Sequence, residues 1–89
     1  MATNRNGLTT LDEAVAEEVR AEIARQQGVT VTGIADTLGL RRATLSARLN
    51  GHIAFSPSLL GDVAQILGLT ASEITRRAEH TATVTRRAS

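Results

Sequence analysis

The chain has 89 residues, 42% hydrophobic and 21% charged, enough for one domain near the lower size limit of a self-sufficient core. It has no cysteine, which excludes disulfide frameworks, thiolate metal sites and cysteine nucleophiles, and its two histidines, His52 and His80, share no ligand spacing with the carboxylates. The net charge of +1 divides unevenly: residues 1–39 carry three arginines against six carboxylates, residues 40–89 seven against three.

Residues 1–9 are polar, include Asn6-Gly7 and read as a loose arm. Thr10-Leu11-Asp12-Glu13 is a capping box, in which the threonine hydroxyl and the glutamate satisfy free helix N–H groups reciprocally. It predicts a first helix from about Leu11 to Gln27. Leu11, Val15, Val19 and Ile23 form its buried stripe, and Glu13, Glu17, Arg20 and Arg25 its solvated face. Gly28 ends it.

A second helix starts at Thr30 or Thr32, either of which can cap it, and runs to Leu38 with Val31, Ile34, Ala35 and Leu38 at helical spacing. Gly33 lies near its start, at some cost in helix propensity. Gly39 is free to take positive φ, and Leu40 points back to the core. The third helix covers about Arg41–Asn50, burying Leu45 and Leu49, and 51–55 form a loop.

Ser56-Pro57 places a serine cap before a proline in the first turn, opening a fourth helix that carries Leu59, Leu60, Val63, Ile66 and Leu67 and closes at Gly68. Thr70-x-x-Glu73 is a second capping box, opening a fifth helix from Ala71 to about Glu79. The tail 81–89 is basic, either disordered or a short dimerising strand over Thr81–Thr85. The expected organisation is an arm over 1–9, an all-α domain over 10–80 and a tail over 81–89.

The third helix breaks the capping pattern of the others. It begins with Arg41-Arg42, although a positive charge at a helix N-terminus opposes the dipole by about 0.3–1 kcal/mol. A phosphate there would resolve the conflict, because free N–H groups, dipole and guanidinium groups all favour an anion. At 100° per residue, Ala43, Ser46, Ala47 and Asn50 project away from the buried Leu45 and Leu49. A face of small side chains suits a helix lying deep in a groove, with methyl groups available to thymine. Arg48, to one side, and His52, just beyond the helix, are further candidates for DNA contact. The sole aromatic is Phe55, so RNA or single-strand binding by base stacking is not expected.

These residues resemble the lambda-repressor-like family, which includes Cro, the phage immunity repressors and the xenobiotic-response-element-type regulators. The resemblance spans about 11–79. It rests on Thr30-x-x-x-Ile34-Ala35-x-x-Leu38-Gly39-Leu40, Thr44-Leu45-Ser46, the Asn50-Gly51 stop and Ala64-x-x-Leu67-Gly68-Leu69. It implies a five-helix domain with a central helix-turn-helix. Arg42, Ala43, Ser46 and Ala47 stand where members read base edges; Thr30, Val31, Arg41, Thr44 and Asn50 stand where they hold the DNA backbone. Val31 replaces the usual polar residue, Arg41 a usual Ser or Thr cap, and Arg48 a commonly aliphatic residue.

The function so implied is a sequence-specific regulator of transcription, a repressor of Cro or phage type. It would bind double-stranded DNA as a homodimer and act by occupancy, there being almost no chain left for a sensor domain. The alternative is an antitoxin or adaptor acting through a protein partner. No enzyme constellation can be assembled, and no cofactor or metal is expected. No segment approaches the ~20 apolar residues of a membrane span and the polar N-terminus is no signal peptide, so a cytoplasmic protein of a bacterium or its phage is expected.

Overall fold

Five helices follow one another in the computed structural model: α1 (Thr10–Arg25), α2 (Val31–Leu38), α3 (Arg42–Leu49), α4 (Pro57–Ile66) and α5 (Ala71–Ala88). The structure describes the backbone of residues 10–88 and the side chains of 11–82. The arm over 1–9 and the Thr10 hydroxyl of the first capping box lie outside the described residues. The all-α, five-helix class is as the sequence implies.

α1 packs mainly along α5 and also meets α3; α2 packs on α3 and α4, and α4 on α5. Val19, Ile34, Leu45, Val63 and Ile74, one from each helix, are fully buried, so all five helices share one core. No polar or charged residue is buried among the described residues. None of their helices is long and apolar enough to cross a membrane.

The caps explain the boundaries. Thr30, rather than Thr32, caps α2, its hydroxyl accepting from Gly33 N–H at 2.9 Å. A Cβ on Gly33 would stand 3.1 Å from that hydroxyl, so the glycine leaves room for the cap. Gly39 is left-handed at φ 69°, and Leu40 N–H returns to Ala35 O at 2.8 Å, turning the chain from α2 into α3. Ser56 caps α4 through Leu59 N–H at 3.1 Å. Thr70 and Glu73 form the reciprocal box of α5, each side chain taking the other's backbone N–H at 3.0 Å.

Two expectations are corrected. α1 ends at Arg25, two residues short of about Gln27: Gln26 N–H still closes on Glu22 O at 3.1 Å, and the chain then turns through Gly28, left-handed at φ 85°. Arg20 is exposed, as are Glu13, Glu17 and Arg25 on the face expected to be solvated, and its guanidinium also donates across to the carbonyl of Leu49. α5 continues past Glu79 to Ala88, so the backbone over 81–85 is helical and not a strand. The reason is visible in Ile74, Ala78 and Ala82, which repeat at i, i+4 and are all buried.

Candidate nucleic-acid interface

The turn at Gly39 sets α3 across α2 with Leu45 and Leu49 as its two anchors, 0% and 4% exposed. Everything else on this two-turn helix is exposed or half-buried. Arg41, Arg42, Ala43 and Asn50 are exposed; Thr44, Ser46, Ala47 and Arg48 are half-buried.

The N-terminal end carries the electrostatic conflict read from the sequence. Arg41 is the N-cap residue, extended at φ −74° and ψ 143°, and its side chain makes no cap hydrogen bond. Among the described residues, Arg41 and Arg42 enter no ion pair, not even with Asp36 on α2; the ion pairs present join Glu22 to Arg25 and Arg77. Two guanidinium groups therefore stand beside uncapped helix N–H groups. That combination attracts an anion through donors, dipole and charge together.

Arg42, Ser46 and Asn50 follow one another at i, i+4 and line one groove of about 510 Å3 between α1 and α3, closed at one side by Val31. Ala43, Thr44 and Ala47 are outside that groove, on the remaining faces of the helix. Ala47 is more covered than a helical wheel suggests. The chain after α3 folds back on it, His52 and Ile53 donating their N–H groups to Ala47 O at 2.9 and 3.3 Å. His52 itself is exposed beside Ile53, which is 48% exposed.

Two candidates have competing engagements. Arg48 donates to Thr44 O, one turn earlier on its own helix, at 2.8 Å. Val31 packs half-buried against the core, so what it can offer a ligand is the N–H of the first residue of α2. Thr30 is exposed with its hydroxyl held in the cap.

Arg20 is the residue at this interface that sequence reasoning missed. It projects from α1, lines the groove beside Arg42, Ser46 and Asn50, and ends on the carbonyl of the last residue of α3. Its signal was its place on the wheel of α1: it follows the buried Ala16 by four residues and precedes the half-buried Ile23 by three.

Comparison with known proteins agrees with this geometry. A family model described as helix-turn-helix matches residues 19–74. The crystal structure of the clp gene regulator ClgR from Corynebacterium glutamicum is similar, with a TM-score of 0.77 at 25% sequence identity over 86% of this chain and 81% of that one. No curated protein matches the sequence.

Proposed function

Because the chain belongs to the lambda-repressor-like helix-turn-helix family, we propose that it regulates transcription by binding double-stranded DNA, with α3 in the major groove. The observation that carries this is the N-terminal end of α3, where the exposed Arg41 and Arg42 have no carboxylate partner among the described residues and no side-chain cap. A phosphate backbone supplies the anion this end lacks. The small residues next to it let the helix approach the bases closely.

In this reading Arg42, Ala43, Ser46 and Ala47 read base edges. Arg42 does so with a planar fork suited to guanine, and the two alanines with methyl groups suited to thymine. Arg41, Thr44 and Asn50 hold phosphates, joined by the Val31 N–H and by Thr30 at the start of α2. Arg48 acts within α3 through Thr44 O, and His52 faces the backbone from the loop. The similar ClgR is named as a gene regulator, which supports the same role here.

We further propose a repressor of Cro or phage type, working as a symmetric homodimer, one α3 in each of two half-sites about 34 Å apart. The test is selection of duplexes from a randomised library followed by sedimentation of the complex. Enrichment of a palindrome with half-sites one helical turn apart, bound by two chains, supports the proposal. Enrichment of no sequence, with a protein partner recovered instead, favours an adaptor.

A further inference from the structure

α3 is the least self-supported of the five helices. It has two turns, too few to be stable alone, and its first turn holds two cations against the dipole without a side-chain cap. Its pose therefore comes from outside. Leu45 and Leu49 fix its depth in the core, but both lie on one face and leave its roll about their line to other contacts.

That end is held by Arg20. Its guanidinium donates to the carbonyl of Leu49, the last helical residue, across 29 residues of sequence. The loop does not compete for this carbonyl, since the N–H groups of His52 and Ile53 both turn to Ala47 O. Nor is Arg20 drawn off along α1: Glu17 stands one turn earlier, yet no ion pair joins them among the described residues. A cation on the last carbonyl is also where the dipole of α3 favours one. The same end carries Asn50 and Gly51, whose N–H groups close on Ser46 O and Arg48 O at 2.9 and 3.2 Å.

We infer that Arg20 is a positioning residue for DNA reading. From α1, outside the helix-turn-helix, it sets the roll of α3 and thereby the places of Ser46 and Asn50, which line the same groove. It works through the Leu49 carbonyl and not through a phosphate. The inference rests on the DNA-binding reading for its consequence, but its structural half is testable without DNA.

The experiment compares wild type, Arg20→Met and Arg20→Lys in two measurements. Amide hydrogen exchange on the free proteins should show Asn50, Gly51 and His52 exchanging about tenfold faster in Arg20→Met, with α4 and α5 protected as in wild type. Arg20→Lys should recover most of that protection. On DNA, Arg20→Met should lower the ratio of specific to scrambled affinity about tenfold at an unchanged salt slope, because no cation is taken from a phosphate.

A variant that is only less folded weakens both duplexes alike and leaves that ratio unmoved. Unchanged exchange at 50–52 overturns the inference. So does an unchanged specificity ratio, and so does an equal loss on both duplexes with the salt slope reduced by about one, which makes Arg20 a phosphate ligand. If wild type prefers no duplex, the DNA-binding reading fails, while the exchange result still decides whether Arg20 holds α3.

Discussion

The side-chain amide of Gln26 donates to the carbonyl of Leu67 at 2.8 Å, tying the end of α1 to the end of α4 across 41 residues. The same amide also donates to Glu22 at 2.9 Å. Removing it leaves a half-covered carbonyl without this donor, so Gln26→Ala should lower unfolding stability by about 1 kcal/mol in a urea titration. The change should fall in the midpoint and not in the slope.

Glu22 gathers the charges on the other side of α1. Arg25 hydrogen-bonds it at 2.5 Å, Gln26 also donates to it, and Arg77 reaches it from α5 at 3.3 Å. The Arg25 hydrogen bond first, then that of Gln26, holds its carboxyl below the usual glutamate value. A depressed carboxylate contributes stability that is present above the unfolded-state pKa and lost as pH falls through the lowered folded one. Stability should therefore decline from about pH 5 downward, and Glu22→Gln should flatten that decline while costing no more than about 1 kcal/mol at pH 7. Thermal melts across pH 3–7 measure both.

Ala82 is 4% exposed on the part of α5 that the sequence reading assigned to a tail. Its neighbour Thr81 is exposed. Ala82→Leu should destabilise by about 1–3 kcal/mol through overpacking, and Thr81→Gln should stay within about 0.5 kcal/mol. Equal effects at the two positions would show that α5 is not packed beyond His80.

Most of the fold was legible because local chemistry and packing agree along the chain. Thr30, Ser56 and the Thr70–Glu73 box mark helix starts that the structure uses, and Gly39 marks the turn it uses. Misread positions are those decided by partners distant in sequence. That the exposed Arg20 also reaches the Leu49 carbonyl depends on where α3 docks, 29 residues away. The run Thr81–Thr85 is β-branched in composition, yet the buried stripe continued by Ala82 prevails. For the candidate interface, the wheel placed Ala43, Ser46, Ala47 and Asn50 outward; Ala43 and Asn50 are exposed as expected, while Ser46 and Ala47 are half-buried. It missed the cover on Ala47, because a wheel contains no loop folding back.

The proposed roles along α3 separate in binding measurements. Arg42→Ala should cost roughly 1–3 kcal/mol on the specific duplex and little on a scrambled one, as loss of a guanine contact would. Asn50→Ala should weaken both duplexes alike, as loss of a phosphate contact would. Exchanged patterns for the two variants would reverse their assignments.

The measurement that bears on DNA reading by α3 is a titration of a dye-labelled selected duplex against its scrambled counterpart at several salt concentrations. The label sits on the DNA, since the chain has no Trp or Tyr. Preference for the selected duplex by about a thousandfold, with affinity falling steeply as salt rises, is the expected result. Equal affinity for both duplexes, or no binding at low salt, would contradict it.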